Sequence, residues 1–526
     1  MPGRLVLYDT TLRDGSQSEG ILFSAEDKIK IAKRLDDFGM DYIEGGWPGS
    51  NPKDMQFFTR AMDIEWKHAK LAAFGSTRRV KAKVTEDENI QLLLAAKTPV
   101  VTIFGKTWDL HVTEGLRTTL EINLELIRDS IAYLKDNGKE VIYDAEHFFD
   151  GYRDNPDYAI LTLQIAEAAG ADCLVLCDTN GGTLPWRVKE VIENIQKLFP
   201  ETKLGIHAHN DGDVAVANSL IALEQGVMHI QGTFNGYGER CGNANLCSII
   251  ANAALKMPVQ VNKNLKVQEL TLLSRYISEM ANMPHREEMP FVGNSAFAHK
   301  GGIHVSAVRR NRRTYEHIDP TVIGNKQRVL ISDQSGQSNI LQKAEELGLD
   351  LSSSQEVVKG IVDKLKEMEN LGYQYEGADG SFEILIHKST GQYRNYFELE
   401  SARVIVDKHE ESSIYSEAVV KVKVNGTVEH TAAEGHGPVD ALDCALRKAL
   451  EHFYPALKDM YLIDYKVRVL DSTEGTAAKV RVYIESQAGD MTWGTVGVSE
   501  NIIEASWQAL VDRITWLLMK KEVNKN

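Results

Sequence analysis

Cysteine is scarce in this chain: five residues, at 173, 177, 241, 247 and 444, among 526. They are too few and too irregularly spaced for a disulfide framework. Cys173 and Cys177 lie in an apolar run, where buried and inert thiols are expected. No uninterrupted apolar stretch approaches ~20 residues, so no membrane span is expected. Basic residues are outnumbered, 59 lysines and arginines against 75 aspartates and glutamates, for a formal charge of −16. No basic run offsets this, and neither nucleic acid nor an anionic membrane surface is an expected partner. The opening Met1-Pro-Gly-Arg-Leu lacks a basic and apolar leader pattern. A soluble protein in a reducing, cytoplasmic setting is the expectation.

What is present is globular: 43% hydrophobic and 25% charged residues, in a length that allows two to four domains. Eight short apolar runs recur: Leu5–Tyr8, Tyr42–Glu44, Leu71–Phe74, Val100–Phe104, Val141–Tyr143, Cys173–Cys177, Leu204–His207 and His229–Phe234. Helical patterns such as Ala25–Phe38 and Pro156–Ala169 lie between them. Apolar strands alternating with helices argue a parallel sheet covered on both faces. Eight such units in ~250 residues is the size of a (β/α)8 barrel. Polar residues cluster just past the strand ends: Arg13, Asp14, Glu44, Glu146, Asp178, Thr179, His207, His209 and Asn235. Barrel active sites are built there, whereas a doubly wound open sheet would not spread them over so many strands. The expected α/β architecture is therefore a TIM barrel over 1–285, small helical subdomains over 286–392, and a third domain over 393–526. Residues 286–330 are weakly periodic. The stretch 336–390 reads helical, with Leu341, Ala344, Leu347 and Leu351 on one face and Val357, Ile361 and Leu365 on another. The last domain carries an internal repeat read at an offset of 60, pairing Gly437 with Gly497, Ala445 with Ala505 and Ala449 with Ala509. Each copy has alternating strands before a helix, a duplicated α+β unit of (βββα)2 type.

His207 and His209 are two apart in a strand, so their side chains point the same way. Asp14 follows the first strand and Asn243 the eighth. Two nitrogens and two oxygens at one barrel mouth suit a divalent ion such as Zn2+ or Mn2+. The plainer readings are a helix N-cap for Asp14 and a turn residue for Asn243. The glycines of Gly236-Tyr-Gly-Glu-Arg-Cys-Gly-Asn lack the GxGxxG spacing of a nucleotide loop, and a tight turn presenting Asn243 is expected instead.

Asp9-Thr-Thr-Leu-Arg-Asp-Gly-Ser-Gln closely resembles the opening signature of the isopropylmalate, homocitrate and citramalate synthases, Claisen-condensing metalloenzymes related to hydroxymethylglutaryl-CoA lyase. The resemblance continues through Glu44-Gly-Gly-Trp-Pro-Gly-Ser, Asp178-Thr179, His207-Ala-His-Asn-Asp, Gly238-Glu-Arg-Cys-Gly-Asn, Ala298-His-Lys-Gly-Gly-Ile-His and Tyr315-Glu-His-Ile-Asp-Pro. It covers nearly the whole chain. Tyr143-Asp-Ala-Glu-His-Phe-Phe-Asp-Gly is most similar to the long citramalate synthases of that family. The resemblance implies an acyltransferase joining acetyl-CoA to pyruvate. Asp14, His207, His209 and Asn243 would hold a divalent metal ion (Mn2+, Zn2+ or Mg2+). Arg13 would face the keto oxygen, Thr179 the substrate carboxylate, and Asp144 the acceptor's side-chain pocket. Glu146 would handle protons, unless it merely pairs with Arg13. His304 and Tyr315 would complete the site from the segment after the barrel, often across a homodimer. The 393–526 domain resembles the family's regulatory domain, with isoleucine the implied effector. The rival acceptor is 2-oxoisovalerate. A retro-direction lyase lacks the duplicated domain, and a catalytically dead amino-acid sensor would not retain the whole ligand set.

Overall fold

The computed structural model describes residues 3–330, 337–346, 351, 355–375, 377–408, 415–470 and 478–523. The eight apolar runs form eight strands: β1 (Val6–Asp9), β2 (Tyr42–Gly46), β3 (Lys70–Ser76), β4 (Val100–Lys106), β5 (Glu140–Glu146), β6 (Cys173–Asp178), β7 (Leu204–Ala208) and β8 (His229–Gly232). They pair in chain order, and β1 closes on β8 with Val6 opposite His229. The sheet is a closed parallel barrel, not an open doubly wound one. Several strands outrun their apolar cores; β5 continues past Tyr143 to Glu146. Inward positions near the mouth face a polar cleft and need not be apolar.

Alternation along the strands divides the barrel into two cores. Val101, Ile103, Val141 and Tyr143 pack with the surrounding helices. Tyr8, Ala72, Val100, Ile142, Cys173, Val175 and Cys177 form a separate cluster of strand residues that fills the lumen. Burial raises both lumen thiols, Cys173 and Cys177, far above the ordinary cysteine range, so they are inert, as expected. The helices obey local rules. Ala25–Phe38 starts at a capping box between Ser24 and Asp27 and stops at Gly39, whose φ of 100° is left-handed. Such a cap contributes about 1 kcal/mol.

The chain divides into two compact units, Met1–Phe297 with Ile318–Gln327, and Ala298–His317 with Arg328–Asn526. The second begins with a parallel pair, β9 (Ala298–His299) and β10 (Arg328–Val329), and a helix, Gly302–Arg310. Weak periodicity over 286–330 hid that helix from sequence. The expected helical stretch consists of Gln337–Glu346, Gln355–Asn370 and Asp379–Ser389. Ala344, Leu351, Ile361 and Leu365 are buried there, and Leu347 lies outside the described residues. Two antiparallel sheets follow. The first is β11 (Glu398–Asp407), β12 (Tyr415–Val424) and β13 (Thr427–Gly435); the second is β14 (Met460–Val469), β15 (Val480–Ala488) and β16 (Met491–Ser499). Helices Pro438–Leu450 and Ile502–Val523 follow β13 and β16.

The duplication is real, but its register is 64 rather than 60. Thr431 Oγ1 donates to the carbonyl of Ala445 at 2.8 Å, and Thr495 Oγ1 to that of Ala509 at 2.9 Å. Alanines recur every four residues along both helices, so a slip of one turn still aligns small residues and misleads a sequence match. No described helix is long and apolar enough to cross a membrane.

Candidate active site

The turn after β1 is built around Asp9. Its carboxylate accepts from the backbone N–H and the hydroxyl of Thr11 at 3.0 and 2.8 Å, and Thr11 Oγ1 accepts from Phe234 N at 2.9 Å. This ties the turn to the end of β8 and aims Arg13 and Asp14 over the mouth. Asp14 precedes a short 3-10 turn, but its side chain makes no capping bond. Its carboxylate instead meets Arg13 Nη1 at 2.7 Å, His207 Nε2 at 3.1 Å and Asn243 Nδ2 at 2.9 Å.

His207 is the penultimate residue of β7 and His209 follows the strand, with ring centroids 5.3 Å apart. Asn243 is brought alongside by an antiparallel bridge to His209. The glycines allow this approach. A Cβ on Gly242, at φ 89°, would stand 2.0 Å from the carbonyl oxygen of Gly236, and one on Gly238 would stand 2.0 Å from Asn243 Oδ1. The loop is a tight presenting turn, as the sequence implied.

Asp14, His207 and His209 each offer a ligand atom within 4.8 Å of the other two, and all three are buried. The donor set fits a divalent cation. Asn243 Oδ1 and His209 Nδ1 are buried without hydrogen-bond partners. Rotating the Asn243 amide would exchange its nitrogen for oxygen beside Asp14 and His207. Burial alone would raise the Asp14 carboxyl, but Arg13 and His207 outweigh it and hold it well below the usual carboxylate range. Burial lowers His209 to about 4, which leaves its ring neutral and able to ligate at neutral pH.

Arg13 is pinned from three sides. Its Nε donates to Glu44 Oε1 at 2.6 Å, its Nη1 to Asp14, and its guanidinium carbon lies 3.7 Å from the ring centre of Phe74. Burial works against the charge, and Asp14 and Glu44 overcome it. Phe74 stacks on Phe104 at 5.4 Å, and Trp47 meets both edge-on at 6.0 and 5.7 Å. An aromatic wall from the ends of β2, β3 and β4 thus adjoins the cation.

The remaining expected residues stand as follows. Glu146 pairs with Lys106 of β4, not with Arg13. Thr179 Oγ1 accepts from His147 N at 2.9 Å. Asp178 turns away, its carboxylate holding Thr183 at 2.8 Å. Asn235 donates to Ser274 O and Ser278 Oγ, both at 2.9 Å, a packing link. Asp144 is 3% exposed inside the lumen and accepts from Gln231 Nε2 at 3.0 Å. Burial raises its carboxyl to about 7. His304 and Tyr315 stack at 4.2 Å in the second unit, on Gly302–Arg310 and shortly after it.

Sequence reasoning assigned no role to Lys106, Gln231 or Tyr8, and none to Glu44 beyond its place at a strand end. Tyr8 Oη donates to Glu44 Oε2 at 2.7 Å and lies 2.7 Å from Thr102 Oγ1, supporting from below the carboxylate that holds Arg13. The usable signal was polarity at inward positions of otherwise apolar strands.

Three family models match the chain in order: HMGL-like over residues 4–277, homocitrate synthase post-HMGL domain-like over 291–372, and the LeuA allosteric (dimerisation) domain over 376–518. It is 56% identical over 517 residues to an (R)-citramalate synthase of Geobacter sulfurreducens, covering 98% of each chain. It is 54% identical over 523 residues to one of Aquifex aeolicus, covering 99% of each. A 2-isopropylmalate synthase of Methanocaldococcus jannaschii is 30% identical over 527 residues, covering 99% of this chain and 96% of that one. The chain therefore belongs to the HMGL-like family, within its isopropylmalate, homocitrate and citramalate synthase branch of Claisen-condensing acyltransferases.

Proposed function

We propose that this chain is an (R)-citramalate synthase, condensing acetyl-CoA with pyruvate and water to citramalate and CoA on the way to isoleucine. The observation that carries this is the convergence of Arg13 with Asp14, His207, His209 and Asn243 at one barrel mouth, in a chain more than half identical to such enzymes along its whole length.

Asp14, His207, His209 and Asn243 would hold a divalent ion, Mn2+, Zn2+ or Mg2+. When bound, it supplies Lewis acidity toward the keto and carboxylate oxygens of the acceptor. Arg13 Nη2 makes no hydrogen bond among the described residues and is the donor left for the keto oxygen. Glu44, Asp14 and Phe74 hold it still, so little reorganisation is needed as negative charge grows there. Thr179 would bind the carboxylate. The acetyl methyl group loses a proton to a positioned base, Glu146 or His304, the second with Tyr315 beside it. The new carbanion carbon bonds to the keto carbon, the keto oxygen takes up a proton, and water then cleaves the thioester. Lys106 fixes the direction of the Glu146 carboxylate. The aromatic wall of Trp47, Phe74 and Phe104 supports a small acceptor, admitting a methyl group more readily than an isopropyl group. On this reading the acceptor's side chain would meet Trp47, Phe74 and Phe104, with Asp144 paired beside Phe104 on the neighbouring strand.

The chain organisation proposed is catalytic over 1–285, site-completing over 286–392 and regulatory over 393–526, with isoleucine as effector and a cytoplasmic homodimer as the working form. The three successive family matches support it. So do the outer strands β11 and β14, where Leu399, Val406, Tyr461, Ile463, Val467 and Val469 are exposed. Such strands call for a covering partner.

The test is CoA thiol release from acetyl-CoA and Mn2+, with pyruvate or 2-oxoisovalerate, with and without isoleucine. Release with pyruvate that isoleucine suppresses is the expected result. Release mainly with 2-oxoisovalerate would move the chain to 2-isopropylmalate synthesis, and indifference to isoleucine would remove the effector assignment.

A further inference from the structure

Below the mouth, the lumen carries a line of hydrogen bonds whose polarity is set at one end. Asp144 on β5 and Gln231 on β8 both point inward, and Gln231 Nε2 donates to Asp144 Oδ1 at 3.0 Å. Above its value of about 7 Asp144 is a carboxylate, which only accepts. It therefore turns the amide nitrogen of Gln231 toward β5 and leaves the amide oxygen facing the other way. That oxygen lies 2.8 Å from His207 Nδ1. An amide oxygen also only accepts, so Nδ1 must carry the hydrogen. Nε2 is the other ring nitrogen, 3.1 Å from Asp14 Oδ2 and 3.2 Å from Asn243 Nδ2; it donates to Asp14 when the ring is protonated and is the bare nitrogen when the ring is neutral. Asp144, Gln231 and His207 are 3%, 0% and 5% exposed, so water cannot readily replace any link.

We propose that Gln231 and Asp144 are positioning residues for His207. Asp144 orients the Gln231 amide, and that amide selects the His207 tautomer whose Nε2 lone pair faces Asp14, His209 and Asn243. This rests on reading those side chains as ion ligands. It gives Asp144 a role other than lining the acceptor pocket, and it gives Gln231 a role where an inward glutamine would otherwise only fill space. Outer partners of ligating histidines fix ring orientation and raise ligand affinity.

The test uses the full-length chain and two readouts. The first is the ring 15N shifts of histidine-labelled, metal-free protein, followed with rising pH until they stop changing and assigned with His207→Gln. The second is Mn2+ affinity by titration. Wild type should show Nδ1 protonated. Gln231→Leu, apolar and of similar size, should mix the two tautomers and weaken Mn2+ binding by ~10–100-fold. Gln231→Glu alone places two carboxylates together. Adding Asp144→Asn restores the sequence of donors and acceptors: the new amide on β5 donates to the new carboxylate on β8, and that carboxylate accepts from His207 Nδ1–H. The double variant should recover the wild-type shifts and most of the affinity, a rescue that space-filling does not predict.

Wild-type shifts and affinity in Gln231→Leu would overturn the proposal. So would a double variant that shows mixed tautomers and weakened Mn2+ binding, and this arm decides the matter if Gln231→Leu fails to fold. If Asp14→Ala binds Mn2+ as wild type does, the ion-ligand reading falls, while the ring nitrogens of metal-free protein still decide the tautomer relay.

Discussion

Arg13 shows what a single side chain needs in order to serve this mouth. Its Nε is committed to Glu44, its Nη1 to Asp14 and its face to Phe74. Lysine has one point charge and cannot reproduce a planar fork stacked on a ring. Arg13→Lys should lower kcat by about 10²–10³, the cost typical of losing one preorganised donor, with little change in melting temperature, as read by thiol release and thermal melts. Asp144 gives a prediction with a pH sign. Its folded value, about 7, lies above the ordinary aspartate range because the site is buried. The folded state thus holds this proton more tightly than the unfolded chain. The stability this contributes is present below ~pH 4 and is lost as pH rises through about 7. Asp144→Asn has no such dependence. Metal-free Asp144→Asn should therefore melt above wild type at pH 8, by the equivalent of roughly 1–3 kcal/mol, and lose that advantage at pH 5. A constant difference at both values would refute the assignment.

Strand and turn elements explain what the sequence exposed and what it withheld. The eight strands were readable because buried parallel strands are short apolar runs. The cluster of Arg13, Asp14, His207 and His209 was readable because each lies at or just past a strand end and the two histidines share a strand face. Gln231 and Asp144 were not, because each is one polar residue in an apolar run, and its partner comes from a strand far away in sequence. Lys106 was missed for a similar reason: its partner Glu146 lies on the next strand, 40 residues on. The repeat register failed because a helix returns small residues every turn. At the turn holding Asn243, Gly238→Ala would bring a Cβ to 2.0 Å from Asn243 Oδ1. The expected outcome is Mn2+ affinity reduced by at least ~10-fold, at an overpacking cost of about 1–3 kcal/mol. Mn2+ titration beside thermal unfolding separates the two effects. Unchanged affinity would mean that Asn243 is not a ligand.

At the scale of the whole molecule, the exposed outer strands are the feature that a lone chain leaves open. Val467 and Val469 lie two apart on β14 and are 42% and 54% exposed. Val467→Glu with Val469→Glu should leave circular dichroism unchanged and lower the mass measured by sedimentation to that of one chain, because like charges block strand-to-strand pairing. A dimer that survives both changes would place the interface elsewhere. The helices and sheets of this unit were foreseeable from alternation and repetition. Its outer strands were not foreseeable as open edges, since exposure on both faces depends on what does not pack there.

The barrel mouth has two arcs drawn from different strands. The groups proposed to hold the ion come from β7, the loop after β8, and the turn after β1, which are neighbours around the ring. The aromatic wall comes from β2, β3 and β4. Arg13 is the hinge between them, touching Asp14 on one side and Phe74 on the other. Two traits carried on separate arcs are separately heritable. If the wall sets the acceptor, a lineage could trade one acceptor for another by rewriting Trp47 and Phe104 while Glu44, Phe74 and Lys106, which hold Arg13 and Glu146, are handed down unaltered.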